Sequence, residues 1–207
     1  MAGHPLPGEE PDRPFDADAL ENLIEEIPAL VTIRTFAADA TRISWFKNTG
    51  EPLTQEVSDL SHRYLNEMGF PEVGLALIEN WNDAATAAET LDWNDPAWEA
   101  EEQLTAALTN QALELISEEA LSVALSAVQA QVGEGLFDHV ADSASLWDET
   151  DEQVINAAAG AALRACHQAA LIQCANAELS HPLAIKFELF KAGHWPICIA
   201  GSSFNIF

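Results

Sequence analysis

One long stretch of this chain carries a single charged side chain, and it limits the possible folds more than any other feature. It runs from Gln153 to Ala177, is rich in alanine, and has Arg164 as its one charge. Its Asn, Gln and His side chains would be costly against lipid, which argues against a membrane span. A helix that is apolar on most sides needs neighbours on most sides. The stretch therefore predicts a central helix, over about residues 152–179, in an irregular multi-helix bundle.

Segments with helical periodicity precede the central helix and supply the rest of a bundle of about seven or eight helices. Apolar residues recur in them at spacings of three and four, and proline or a capping side chain stands at several predicted starts. A glycine pair, Gly133 and Gly135, is expected to break or kink the last of them. For the second predicted helix, over about residues 29–46, a strand remains the alternative. The predicted helices cover about residues 16–27, 29–46, 52–69, 71–91, 96–116 and 117–140, followed after the central helix by 182–192.

The closing segment, WPICIAGSSFNIF, is uncharged and rich in β-branched and aromatic residues, unlike the stretches before it. It predicts a strand, a turn centred on Gly201 and a second strand, over about residues 195–207. A two-stranded hairpin is marginal alone, so we expect its apolar side chains to pack on the bundle as a lid. Its exposed edge offers a route to a homodimer. The predicted fold is thus mainly α, with one domain over residues 16–207 and a flexible Pro-rich tail over residues 1–15.

The net charge of the chain limits the classes of partner that it could bind. The chain has 34 Asp and Glu residues against 8 Lys and Arg, a net charge of −26. Between Arg63 and Lys186 the only cation is Arg164, so most acids in this span lack a basic partner within the chain. Such a surface repels nucleic acid and anionic membranes, and we expect neither as a partner. Three explanations of this negative charge remain open. The charge could keep the protein in solution, it could be an adaptation to a saline environment, or it could form a face that docks a basic protein.

Two further features predict a cytoplasmic protein. The three cysteines, Cys166, Cys174 and Cys198, form no paired framework and are typical of buried, reduced thiols. The first 15 residues lack the basic and apolar regions of a signal peptide.

A cluster of acidic residues and a histidine is the candidate metal site. Glu134, Asp138 and Asp142 recur at four-residue spacing, with His139 three residues before the last of them. If the segment is helical, three carboxylates on one stripe repel each other, and a divalent cation would relieve that repulsion. A solvated acidic face at a helix end explains the same residues and is the favoured interpretation.

The candidate ligand-binding residues are Arg164, His167, His194 and Trp195. A guanidinium in so apolar a helix needs a carboxylate, so a structural salt bridge is favoured for Arg164, and an anchor for an anionic ligand is the alternative. His167 is expected as a hydrogen-bonded core histidine or a pocket residue. His194 and Trp195 follow the Gly193 turn, and we expect them at an exposed edge, where they would line a recognition site; sealing the core is the alternative.

Function remains open at this stage. The sequence contains no GxSxG motif, P-loop, dinucleotide fingerprint or HExxH motif, and it indicates no cofactor. The leading hypothesis is a non-catalytic protein whose acidic surface binds a basic partner protein. The alternative is an enzyme or a divalent-cation-binding protein that uses the carboxylate and histidine cluster or a small-ligand pocket near Arg164.

Overall fold

The computed structural model describes residues 28–89, 96–149 and 151–207. The predicted tail and the predicted helix over residues 16–27 lie outside these ranges. The described part is mainly helical and ends in a β-hairpin, which confirms the predicted fold class. In chain order its elements are α1 Pro28–Ala40, α2 Gln55–Glu67, β1 Gly74–Leu77, α3 Trp81–Glu89, α4 Pro96–Leu115, α5 Glu118–Ser145, α6 Glu152–Cys174, α7 Pro182–Lys191, β2 Pro196–Ala200 and β3 Ser203–Ile206.

Helix α6 is the central helix that the uncharged stretch predicted. It packs against α1, α3, α4, α5 and α7, and from Gln168 to Cys174 only Gln173 is not fully buried. The Asp151 side chain caps its start by accepting a hydrogen bond from the Gln153 amide. The helix ends five residues earlier than predicted, and Asn176 takes a positive φ of 49° directly after it. Within the described ranges no helix combines the length and the apolar character needed to cross a bilayer.

Helix α5 is continuous, so the break expected at Gly133 and Gly135 is wrong. Its apolar side chains form one buried stripe, and Val132, Leu136 and Val140 are each at most 2% exposed around the two glycines. Packing of this stripe on the bundle outweighs the cost of roughly 1 kcal/mol that each glycine adds to a helix interior. Ser117, at the start of the predicted helix over residues 117–140, caps α5, because its side chain accepts a hydrogen bond from the Ala120 amide.

The predicted helix over residues 71–91 is wrong in its first half. Gly74–Leu77 is a strand, and α3 begins only at Trp81. Strand β1 pairs in parallel with β3, which gives the strand order β1-β3-β2. Tertiary pairing therefore overrides the local pattern in this four-residue segment. One edge of the hairpin, which the sequence left open, is covered by β1.

The C-terminal elements agree closely with those predicted from the sequence. The His181 ring accepts a hydrogen bond from the Leu183 amide at the start of α7, and Gly193 ends the segment with a φ of 85°. Strands β2 and β3 form the predicted antiparallel hairpin around Gly201. Its apolar side chains Phe204, Ile206 and Phe207 are at most 2% exposed. The hairpin thus closes one side of the core, as the lid interpretation requires.

Candidate functional site

The residues of the predicted metal site lie on α5 and point to no closed coordination site. Asp138, His139 and Asp142 are exposed, and the Glu134 side chain lies outside the description. Among the described side chains, no group of three or more His, Cys, Asp or Glu residues is arranged to hold a metal ion. A cation here would have to be held by one exposed helix face, so the site remains a prediction without support from the geometry.

Arg164 makes the structural ion pair that was favoured for it. Its guanidinium contacts the Glu102 carboxylate on α4 and lies over the Trp98 ring, with 4.3 Å between Cζ and the ring centroid. The Arg164 side chain is 31% exposed, so it lies at the edge of the core and not within it. The two contacts fix α4 to α6. The Nε of the same guanidinium has no hydrogen-bond partner among the described residues, so the pair with Glu102 uses only part of the group.

His194 and Trp195 are each only 2% exposed, so the expectation that they lie at an exposed edge is wrong. Trp195 packs on Phe46 and Trp81, with ring centroids 6.2 Å and 6.0 Å away. Its carbonyl accepts a hydrogen bond from the Phe207 amide at 2.9 Å, which draws the chain inward at this point. Both residues therefore seal the core, which was the alternative for them.

Burial controls the protonation of the two histidines. It lowers the pKa of His194, and a hydrogen bond to the Phe207 backbone acts in the opposite direction. Burial also lowers the pKa of His167, whose Nε2 has no hydrogen-bond partner among the described residues. Both rings are therefore neutral at neutral pH. His167 lies on α6, whereas His194 and Trp195 lie in the turn between α7 and β2.

A buried ion pair that the sequence did not reveal lies between α4 and α7. Lys186 Nζ donates to Glu101 Oε1 at 2.5 Å, and the two side chains are 12% and 6% exposed. Together with Tyr64 and Trp98 they line a cavity of about 50 Å³ beside β2. The available signal was Glu101 itself, an acid three residues after Trp98 and seven before the buried Leu108, on the apolar stripe of α4.

Tyr64 contributes a protonated phenol to this cavity. Burial raises its pKa well above the usual value, the Glu101 carboxylate adds to the increase, and Arg164 opposes it. The cavity has room for only a few water molecules. Paired charges and a phenol around this small volume form a polar cluster between α4 and α7.

The cysteines offer no reactive thiolate in the core. Burial raises the pKa of Cys166 to about 12 and that of Cys174 to about 11. None of the three cysteines forms a disulfide. A thiol that stays protonated at neutral pH is a poor nucleophile and a poor metal ligand.

The most exposed apolar side chains of α5 and the turn after it lie at one end of the helix. Phe137, Leu146 and Trp147 are 41%, 85% and 45% exposed. Exposed carboxylates lie close to them in the sequence, and we call the set the acidic strip. It comprises Phe137, Asp138, Asp142, Leu146, Trp147 and Asp148.

The acidic strip has a rigid base. Ser143 Oγ donates to the Phe46 carbonyl at 3.1 Å, and the Trp147 ring contacts Phe207 with centroids 6.3 Å apart. A Cβ at Gly50 would lie only 2.8 Å from the Trp147 ring, so the backbone approaches the indole closely. These contacts hold Trp147 in place while leaving nearly half of it exposed.

No protein-family model, curated protein or solved structure matches this chain. A functional assignment therefore has to come from the chemistry of the described surfaces and cavities.

Proposed function

We propose that the protein is a non-catalytic binding protein that docks a basic, amphipathic segment of a partner protein on the acidic strip. The observation that carries the proposal is the combination of exposed large apolar side chains and exposed carboxylates at the end of α5. Leu146 and Trp147 are 85% and 45% exposed, and Asp138 and Asp142 are exposed beside them.

Helical geometry places two of the carboxylates and Leu146 on one face. Asp138, Asp142 and Leu146 are successive fourth residues, so they form one stripe about 12 Å long. Phe137 lies about 100° around the helix from Asp138, at the flank of this face. A helix of the partner that presents Leu or Phe along one edge and Lys or Arg along the other would complement this face.

The charge of the acidic strip favours a basic partner. The sequence has no Lys or Arg between Arg63 and Arg164. The carboxylates of the acidic strip therefore have no basic side chain from this span to neutralise them. A basic segment would gain both attraction during the encounter and contact with the exposed indole, and aromatic side chains of this kind are common binding hot spots.

Rigidity of the surface adds to the argument. The contacts of Ser143 and Trp147 with the loop and with Phe207 order the strip before any partner binds. Binding then costs little conformational entropy on this side of the interface. The reduced state of the three cysteines supports a cytoplasmic location as part of the proposal.

A synthetic amphipathic helix of Leu and Lys is a suitable probe, with fluorescence anisotropy as the measurement. The same peptide with Glu in place of Lys is the peptide control. We expect the Lys peptide to bind, with an affinity that falls as NaCl is raised. The double variant Asp138→Asn/Asp142→Asn should weaken binding roughly two- to thirtyfold, since each exposed charge pair contributes about 0.2–1 kcal/mol.

Two matched variants separate a specific surface from diffuse charge. Glu67→Gln/Glu72→Gln removes the same charge from exposed positions outside the strip and should leave binding unchanged. Leu146→Ser removes the most exposed apolar group without touching the core and should weaken binding at every salt concentration. The proposal is wrong if the two charge variants weaken binding equally, if Leu146→Ser has no effect, or if the Lys peptide does not bind.

A further inference from the structure

A groove with mainly apolar walls opens between α1, α6 and α7, with a volume of about 230 Å³. Two of its lining rings, Phe36 from α1 and Phe187 from α7, pack against each other with centroids 5.4 Å apart. Ile172 on α6 also lines it and is only 2% exposed, so the groove reaches the buried core. At its rim Leu179 is 74% exposed. The groove therefore offers a ligand an apolar surface that ends at an exposed leucine.

A basic cleft of about 350 Å³ adjoins this groove, and Lys191 lines both. Arg42 and Lys47 also line the cleft. Three of the chain's eight Lys and Arg residues therefore lie around one cleft in a protein with a net charge of −26. Arg42 and Lys191 lie at or just beyond the C-terminal ends of α1 and α7, where the helix dipole favours a cation. Lys47 lies in the loop after α1, so the helix dipoles do not explain the whole cluster.

The contacts that these cations already make are weak. Arg42 pairs with Asp39 at 3.1 Å and Lys191 with Glu188 at 2.8 Å, and all four side chains are at least 43% exposed. Ion pairs that are this exposed contribute little to stability. Lys47 is exposed and makes no ion pair with the described residues. An anion in the cleft would therefore break no strong contact.

The cleft is held in shape before any ligand binds. Asn48 Nδ2 donates to the Ala192 carbonyl at 2.8 Å, and the Asn48 amide donates to the Gly193 carbonyl at 2.9 Å. Gly193 has a φ of 85°, and an added Cβ there would lie 3.0 Å from the Asn48 amide nitrogen. These contacts fix the loop of Lys47 to the end of α7. A site formed in advance costs little conformational entropy on binding.

The size of the two cavities favours a small molecule over a protein segment. Small-molecule sites measure roughly 300–1,000 Å³ and combine mainly apolar walls with a few polar groups, and the groove and the cleft together fall in this range. A protein partner would have to cover roughly 800 Å² on its own side and so extend well beyond these residues. Apolar walls at one end and cations at the other complement a molecule with an alkyl chain and an anionic head.

We propose that the groove and the cleft together bind a small anionic amphiphile, with its alkyl chain in the groove and its carboxylate or phosphate head among the three cations of the cleft. Lys191, which lines both cavities, lies where the chain meets the head. Contact with the chain removes the exposed Leu179 side chain from water and adds to the affinity. The residues of the acidic strip line neither cavity, so this site is independent of the proposed protein contact.

Isothermal titration calorimetry of the full chain tests the proposal with four amphiphiles, each below its micelle concentration: octanoate, decanoate, decyl phosphate and decyltrimethylammonium. We expect decanoate to bind more tightly than octanoate, by about two- to fourfold for each added CH₂ group. Decyltrimethylammonium has the same alkyl chain and the opposite charge. Diffuse attraction to a protein of net charge −26 would favour this cation, so a preference for the anions requires the local cations of the cleft. The tighter of decanoate and decyl phosphate identifies the head group, and either result supports the proposal.

Three variants locate the binding site. Lys47→Gln/Lys191→Gln should weaken decanoate binding about two- to thirtyfold, because two exposed charge contacts are lost. Arg34→Gln/Arg63→Gln removes the same charge from exposed positions that line neither cavity, and it should leave the affinity unchanged. Leu179→Ser removes the exposed apolar group at the rim without touching the core and should also weaken binding.

Several outcomes would overturn the proposal. The first is that neither decanoate nor decyl phosphate binds below its micelle concentration. The second is that decyltrimethylammonium binds as tightly as decanoate, which would mean that the cleft does not select the charge of the head. The third is that the two charge variants weaken binding equally, or that Leu179→Ser leaves it unchanged, since the ligand would then lie elsewhere.

Discussion

Helices α5 and α7 differ in the fraction of their residues that is buried. In α7, seven of ten residues are buried, among them Phe190 with no exposed surface. In α5, which is 28 residues long, burial is confined to one stripe, and carboxylates and apolar groups share the outer face. The difference indicates that the C-terminal elements carry much of the folding free energy per residue. The long helix packs along a single stripe, and its outer face stays exposed.

We expect the largest difference in stability when one phenylalanine in each helix is replaced by alanine. Phe190→Ala removes a ring that packs edge-on against Trp45 and Phe46 and should lower the free energy of unfolding by about 3–5 kcal/mol. Phe137→Ala removes a ring that is 41% exposed and should cost less than about 1 kcal/mol. Urea denaturation measures both, and equal losses would contradict the comparison.

Loss of a lysine from α7 should depend on whether its ion pair is buried. Lys186→Ala leaves the Glu101 carboxylate buried without a partner and should cost about 3 kcal/mol. Lys191→Ala opens the exposed pair with Glu188, on the same helix, and should change stability by less than about 1 kcal/mol. Replacing both members of the buried pair, as Glu101→Gln/Lys186→Met, should restore part of the loss. Thermal unfolding of the three variants checks this, and an unchanged stability of Lys186→Ala would mean that water reaches the pair.

Gly50 links the base of the acidic strip to the loop after α1. Its φ is 76°, and an added Cβ would lie 2.8 Å from the Trp147 ring and 2.9 Å from the Glu79 carbonyl oxygen. Gly50→Ala should therefore cost about 2–3 kcal/mol, through backbone strain and collision together. Gly69→Ala, with a φ of 86° and open space around it, should cost only about 1 kcal/mol. Similar losses at the two positions would show that Trp147 moves freely.

The smallest expected effect is a gain in stability. Gly135 lies inside continuous α5, is exposed, and has no atom within 4 Å of the place where a Cβ would stand. Gly135→Ala should therefore stabilise the protein by roughly 0.5–1 kcal/mol. Gly160→Ala in α6 meets the same conditions and should give a similar gain. A loss at Gly135, measured by urea denaturation, would show that α5 is kinked there after all.

The sequence predicted those elements whose signals are local. Caps and proline positions mark the starts of α6 and α7, and alternation around Gly201 marks the hairpin. Strand β1 gave no such signal, because four apolar residues have no decisive periodicity and its partner is β3 at the far end of the chain. The length of α5 was misjudged because local glycine propensity was weighed without the packing of Val132 and Leu136.

The candidate site was harder to predict for a related reason. The Glu101–Lys186 pair joins residues 85 positions apart, and only the three-dimensional arrangement brings them together. His194 and Trp195 were expected at an edge because a turn precedes them, whereas backbone pairing with Phe207 draws them inward. The acidic residues of the strip were visible in the sequence. Their association with Leu146 and Trp147 needed the helix to continue to Ser145.

The parallel pairing of β1 with β3 has a consequence for the order of folding. Residues 74–77 meet residues 203–206, so the strand must wait for nearly all of the intervening chain to be synthesised and arranged. Closing so long a loop is entropically unfavourable and slow, whereas helices form from local contacts. We expect the helices to assemble first and the sheet to complete the domain in the rate-limiting step. Until that step an apolar strand edge is open, which makes the nearly folded chain the species most prone to aggregate.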